Sequence, residues 1–407
     1  MTHIAVVGAG PYGLSLAAHL SEAAADFRIF GKPMDTWREH MPAGMDLKSD
    51  GFASSLSDPT GVGTLAAYCA ERGIPYHPTD LPVSLQVFVD YATEFQRRFV
   101  PGVEGAQVVR IDLAGDSFVL GLDSGEALTA DVVVLAAGIT HFGHVPAVLS
   151  GLPRDLVSHS GDHADLSRFA GTHLTVIGAG SSAVDFATLA AEAGARTTLV
   201  ARTDALRFFS AKTAGPRTCW QRVRRPSSGL GPGWRSWLCQ RGPGLFRYLP
   251  GRTRLQIVTR HLGPKSAHHM RARLEASVTV RLAEQVERAE VVDGRVRLGL
   301  RSSAGALREW DCDHVVAATG YYPAVSALPF LSPDLRAAVR TRASMAVLSP
   351  NFETSVNGLY VIGPAAVDTF GPLMRFMVGA EYVAPRLARH LTRLTRAMAP
   401  ERAPAGR

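Results

Sequence analysis

The hydrophobic pattern starts almost at the first residue. Residues 3–8, His-Ile-Ala-Val-Val-Gly, form a short apolar run closed by a glycine, and Pro11 to Ala25 follows as a small-residue stretch of helical character. That predicts strand, glycine turn, helix, and a second apolar run, Phe27 to Phe30, completes a β-α-β unit. The pattern returns at Leu174 to Gly178, Ser181 to Ala193 and Thr197 to Val200, which an internal duplication of one nucleotide-binding unit explains most simply. Two bound dinucleotides follow.

Residues 103–135 alternate strand-like stretches (Gln107 to Leu113, Phe118 to Leu122, Val132 to Leu135) with turns, predicting a β-meander, and residues 278–317 repeat it. Arg217 to Pro250, rich in Gly, Pro, Arg and Trp, has no clean periodicity and predicts a loop-dominated insert or lid. The tail from Pro400 is expected to fray. The expected fold is therefore α/β, with two three-layer Rossmann-like domains, β-meanders and a basic insert. The first domain is discontinuous, residues 1–150 plus 321–400; the second spans 151–320 and carries the insert at about 207–273.

Composition narrows this picture. A chain of 407 residues, 46% apolar and 19% charged, suits two or three globular domains, and no apolar run of 18 residues offers a membrane span. The first strand begins too early to leave room for a signal peptide, so a cytoplasmic address is expected. Cys69, Cys219, Cys239 and Cys312 lie far apart, with no C-x-x-C pair, and neither a metal site nor a local dithiol is expected. Residues 202–273 hold 16 Lys or Arg and one acid, Asp204; that stretch carries +15 in a chain of net charge +7, leaving −8 elsewhere. Such asymmetry points to an anionic ligand, carrier protein or surface at the insert, with nucleic acid not expected. Trp220, Trp234 and Trp237 lie among its arginines.

Gly8-Ala9-Gly10-Pro11-Tyr12-Gly13 is G-x-G-x-x-G between a strand and a helix. Gly8 permits the turn, Gly10 lets backbone approach a pyrophosphate, and Gly13 lets the helix pack on the strand. The acid usual at the end of the second strand is replaced by Gly31 and Lys32. Gly178-Ala179-Gly180-Ser181-Ser182-Ala183 repeats the geometry, and its following strand ends in Ala201-Arg202, with Arg207 nearby. An arginine there pairs with the 2′-phosphate of NADPH, which favours NADPH over NADH; a solvated strand-end charge is the other reading.

These motifs resemble class B flavoprotein monooxygenases, the group of flavin-containing monooxygenases, Baeyer–Villiger enzymes and lysine and ornithine N-hydroxylases. The resemblance includes Asp35-Thr36-Trp37-Arg38, Met45-Asp46-Leu47-Lys48-Ser49, Ala136-Ala137-Gly138, Ala318-Thr319-Gly320-Tyr321, Gly358 to Gly363, and Gly371-Pro372-Leu373-Met374 at the start of a helix. Phe30-Gly31, Pro42-Ala43-Gly44-Met45 and Phe52-Ala53-Ser54 resemble a urate-hydroxylase-like subgroup of bacterial FAD/NAD(P)-binding oxidoreductases. His159 matches the last position of an interdomain signature whose Phe and Gly positions are Pro153 and Asp155 here, and a hydrogen bond at the domain junction is its expected role.

The resemblance implies FAD at Gly8, Gly10, Pro11, Tyr12, Gly13, Trp37, Lys48, Ser49, Ala137, Gly138, Gly363, Leu373 and Met374. It places NADPH at Gly178, Gly180, Ser181, Ser182, Arg202, Arg207, Thr319 and Gly320. Pro364 stands where an acid contacting FAD is usual, and Asp368 lies too far along to replace it. It implies a monooxygenase that passes one atom of O2 to a small organic substrate through a C4a-hydroperoxyflavin, N-hydroxylation being slightly favoured. Ser54 and Ser55 are the candidates for steadying the oxygen adduct; Gln86, His77 and the His268-His269 pair are other polar candidates, and no catalytic base is named. An NADPH-dependent FAD reductase, dehydrogenase or oxidase, and a flavin-binding protein without catalysis, are the alternatives. The missing C-x-x-C argues against a thioredoxin reductase type.

Overall fold

A computed structural model describes residues 2–79, 81–209, 218–261, 263 and 265–398. The first sheet is built from β1 (Thr2–Val7), β2 (Phe27–Phe30), β3 (Val103–Glu104), β4 (Val108–Ala114), β5 (Ser117–Leu122), β6 (Ala127–Leu135) and, from late in the chain, Leu359–Val361. Its order is β3-β2-β1-β6-β5-β4, and Leu359–Val361 runs parallel to the end of β6, beyond the part that β5 pairs with. Ile4, Ala5 and Val6 are wholly buried, as expected of a central parallel strand covered on both faces.

The second unit contains β7 (Val157–His159), β8 (His173–Ile177), β9 (Arg196–Ala201), β10 (Thr279–Leu282), β11 (Glu284–Val292), β12 (Arg295–Ser302), β13 (Leu307–Cys312) and β14 (His314–Ala317). The parallel order β10-β9-β8-β14-β7 mirrors the parallel half of the first sheet. Only β11-β12-β13 forms the second meander. The flanking stretches β10 and β14, expected within it, join the parallel sheet instead. Every residue of β14 is buried, which suits a strand with both faces covered better than a meander edge.

The helices in chain order are α1 (Pro11–Glu22), α2 (Asp35–Glu39), α3 (Leu65–Arg72), α4 (Leu85–Phe99), α5 (Ser181–Glu192), α6 (Cys219–Arg224), α7 (Trp234–Arg241), α8 (Pro243–Phe246), α9 (Gly251–Arg260) and α10 (Met270–Ser277). Helix α1 packs on the first sheet and against the long final helix, Ala380–Met398, while α5 and α10 pack together in the second unit. Each unit has its own core: Ile4, Leu14, Phe118, Tyr360 and Leu387 in one, Leu174, Phe186, Leu199 and Leu274 in the other.

Two further expectations are corrected. The insert is helical over α6 to α9; its helices are short, and Gly231-Pro232-Gly233 and Gly242-Pro243 separate them before any periodicity can develop. Gly371 to Met374 opens no helix. Two 3₁₀ turns, Pro372–Arg375 and Met377–Gly379, precede the final helix. The Tyr12 hydroxyl holds the carbonyls of Met374 (3.1 Å) and Phe376 (2.8 Å), so they are not free to propagate an α-helix. Residues 210–217 of the insert and the tail from Pro400 lie outside the described residues.

Candidate functional site

The two glycine turns are built alike. Gly8 has φ +112°, and a Cβ there would lie 2.4 Å from the carbonyl oxygen of Ala136; Gly178 has φ +153°, and its Cβ would lie 2.4 Å from that of Ala318. Each turn thus presses on the end of the crossing strand, β6 or β14, and only glycine fits. A Cβ on Gly13 would come within 1.9 Å of the Gly8 carbonyl oxygen, so α1 sits directly on its turn. Gly10 differs, because a Cβ there would meet nothing within 4 Å.

Gly10 and Gly180 cap α1 and α5 with extended backbone and no side-chain acceptor, and neither helix has an acid in its first turn. First-turn N–H groups facing open space, with the positive end of the helix dipole behind them, fit a pyrophosphate. The residues present therefore suit dinucleotides at both turns. Beyond them the crossings continue through Ala137 to Gly138 (φ +62°) and through Thr319 to Gly320 (φ +93°).

The strand ends differ in charge. Gly31 has φ +121°, a backbone conformation that residues with a side chain rarely adopt, which accounts for the missing acid; a Cβ there would itself meet the Ala9 amide nitrogen only at an ordinary 3.4 Å. Glu104, opposite Phe30, does not replace it, since its carboxylate takes both arms of Arg28 at 2.7 Å. Lys32 is exposed. At the end of β9, Arg202 and Arg207 are exposed and in no ion pair among the described residues, as a phosphate site requires. The Ser181 hydroxyl donates to the carbonyl of Lys265, which brings the end of the insert to the start of α5, and Ser182 is exposed.

On the first side, Trp37 meets Phe88 edge-on at 4.9 Å. Ser49 and Ser54 share a 2.8 Å hydrogen bond, Ser54 donates to the Asp50 carbonyl (2.9 Å), and Ser55 accepts from the Leu65 amide (3.1 Å). Both candidate hydroxyls are thus tied into their own loop. Gly363 (φ +73°) lies against the Tyr12 ring, and Leu373 and Met374 are buried beside it. Asp368 is turned away to Arg342 (3.1 Å) and the buried Arg254 of the insert (3.8 Å), while burial pushes its carboxyl above the usual range. Lys48 is paired with Asp185 of α5, and Asp46 with His269 at 3.1 Å. Gln86 donates to Asp90 on the surface.

Between the units, His159 bonds the Gly320 carbonyl (3.2 Å), accepts from the Gly161 amide (3.1 Å) and meets the Tyr321 ring edge-on at 4.9 Å. Beside it runs a buried relay. His163 Nε2 donates to Ser158 (2.7 Å), Ser158 donates to His314 Nε2 (2.7 Å), and His314 Nδ1 donates to the Asp155 carbonyl (2.9 Å). One proton per imidazole satisfies every bond, so both rings are neutral. Cys69 and Cys312 are buried and free, and burial pushes the Cys312 thiol up to about 11; Cys239 is free and half-buried. No metal-binding group is assembled among the described residues.

Sequence reasoning missed Asp185 and Lys265. Lys265 reaches Ser181 across 84 residues, and no local spacing signals such a contact.

Two β-α-β units with a shared glycine-turn geometry define a protein built to hold two dinucleotides. Residues 5–215 match the pyridine nucleotide-disulphide oxidoreductase family, and the chain belongs to it. It is 30% identical over 210 residues to a ferredoxin–NADP reductase of Ignicoccus hospitalis, covering 50% of this chain and 57% of that protein, so it spans little more than half of that relative's length. Among solved structures, the ornithine N-hydroxylase of Kutzneria sp. 744 matches over 97% of this chain and 100% of its own at 16% identity, with a TM-score of 0.75. The ornithine hydroxylase of Pseudomonas aeruginosa matches over 96% and 99% at 17% identity, with a TM-score of 0.73. The resemblance read from the motifs holds for the α/β fold.

Proposed function

We propose that the chain is an FAD-dependent, NADPH-consuming monooxygenase acting on a small organic substrate, with hydroxylation of an amine nitrogen favoured. The observation that carries this reading is the seat of the insert on the FAD side. Phe246 packs on Gly371, and Gly229 lies against Val378 and Ala53, so the insert covers the segments proposed to flank the flavin. A flavin that activates oxygen needs a site closed to bulk water, whereas one that passes electrons to a protein needs an open edge. Two solved ornithine hydroxylases that are similar over nearly the whole chain support the same class.

In this reading Gly8, Gly10 and Gly13 with the start of α1 hold the FAD pyrophosphate. Trp37, Ser49, Ala137, Gly138, Gly363, Leu373 and Met374 enclose the rest, and Lys48 steadies the loop between the units. Gly178, Gly180, Ser181 and Ser182 hold the NADPH diphosphate, Thr319 and Gly320 border it, and Arg202 with Arg207 takes the 2′-phosphate. Hydride acceptance and oxygen activation are the chemistry that bound FAD supplies. The chain orients the two cofactors and excludes water.

The ferredoxin–NADP reductase relative favours a second reading, electron transfer to a protein acceptor. NADPH oxidation, oxygen uptake and products, measured with ornithine, lysine and cadaverine, separate the two. Amine-stimulated oxidation yielding about one N-hydroxylated product per NADPH supports the monooxygenase. Rapid, oxygen-independent reduction of ferredoxin with no hydroxylated product overturns it.

A further inference from the structure

The insert carries charge and apolar surface that neither cofactor uses. No acid occurs between Asp204 and Glu275, while 14 Lys or Arg fall within residues 208–273, beyond the Arg202 and Arg207 proposed for NADPH. One side of the insert is spent on docking: Phe246 and Leu230 are buried, and Arg254 is paired with Asp368. The solvent-exposed surface of these helices is unusually apolar. Trp220 (64% exposed), Val223, Trp234, Leu238, Leu245 (71%) and Tyr248 (76%) all stand out, the first two pairs at spacings that share a helix face. The exposed Arg224, Arg235, Arg241, Arg252 and Arg260 are interspersed with them.

We infer that the outer face of α6 to α9 docks on an anionic phospholipid surface. Tryptophan and tyrosine rings lodge at a headgroup boundary, leucines enter the acyl edge, and arginine stems lie along apolar surface while their guanidinium groups reach phosphates. Each cation near such a surface adds a modest attraction, so several cations plus this apolar area suffice for reversible binding. No helix among the described residues is long and apolar enough to cross a membrane, so the contact lies in the interfacial plane. A second copy of the chain fits worse, because a two-fold contact through this face would set one acid-free, arginine-rich surface against another. An acidic protein would match the charge but leave the exposed leucines and aromatic rings without an apolar partner.

Flotation of the holoenzyme with vesicles tests this. Binding to phosphatidylcholine containing about 30% phosphatidylglycerol is expected to exceed binding to phosphatidylcholine alone on the order of tenfold, and to weaken as salt is raised. Fluorescence of Trp220 and Trp234 shifts to the blue on binding. The double variant L245E/Y248E, altered only at exposed positions, is expected to lose binding on the order of tenfold while its NADPH oxidation without vesicles and its melting temperature are unchanged. The inference is overturned if the enzyme ignores both vesicle types, if the double variant binds as well as the parent, or if polyglutamate or self-association occupies this face while vesicles do not. None of these outcomes depends on whether the enzyme is a monooxygenase or a reductase.

Discussion

The Lys48 ammonium, on a loop of the first unit, lies against the Asp185 carboxylate in α5 of the second. Asp185 is 2% exposed, and burial pushes its carboxyl above the usual range while Lys48 pulls it back. Lys48→Ala should therefore destabilise by about 3 kcal/mol at neutral pH, because it strands a buried carboxylate, and Asp185→Asn should cost a similar amount, because the Lys48 ammonium is itself buried and would face a neutral amide. A raised carboxyl binds its proton more readily folded than unfolded, so the Lys48→Ala defect should shrink as pH falls below the raised value. Urea midpoints across pH measure both.

Gly10 and Gly13 should separate cofactor loss from fold loss. At Gly10 φ is −84° and a Cβ meets only open space, so Gly10→Ala should fold with a near-parental melting temperature but purify with little flavin. Gly13→Ala drives a Cβ into the Gly8 carbonyl and should cost about 1–3 kcal/mol through overpacking, lowering the melting temperature even without cofactor. If both variants lose stability equally, the open space before α1 is not the pyrophosphate site.

Arg202→Ala should raise the KM for NADPH about tenfold or more and leave that for NADH nearly unchanged, as expected when one charge-assisted contact to the 2′-phosphate is removed. Steady-state kinetics with both nucleotides reads the ratio. An equal effect on both would assign Arg202 to a solvated strand end.

Acid should weaken the buried relay. Burial lowers His163 to about 4, with Arg168 and His314 adding to the shift, and burial also lowers His314. Unfolding lets His163 take up a proton at any pH between about 4 and its ordinary value near 6.5. Stability should therefore be fully present above about 6.5 and be lost progressively toward 4. His163→Phe should flatten this dependence in thermal melts between pH 4 and 7.

Both glycine turns were legible because close backbone approach at Gly8, Gly13 and Gly178 leaves one acceptable residue, and β8, α5 and β9 because each is a run of apolar and small residues buried over most of its length, in strand-turn-helix-strand order. The insert was not, since Gly231, Pro232 and Gly242 cut its helices too short for a pattern. The turns at Pro372 and Met377 depend on a hydroxyl 364 residues from Phe376, and the Lys48–Asp185 pair on two units meeting. Neither has a local signature.

The placement of Leu359–Val361 beside β6 orders events during synthesis. Helix α1 and β6 emerge early, yet the strand that completes their sheet and the carbonyls that Tyr12 holds are made only near the end of translation. The strands of the second parallel sheet all lie within residues 157–317, so the middle of the chain can close while its beginning waits. At about 5–20 residues per second, that leaves the N-terminal half-domain open for many seconds on the ribosome, exposed to chaperones and proteases before it can retain a cofactor.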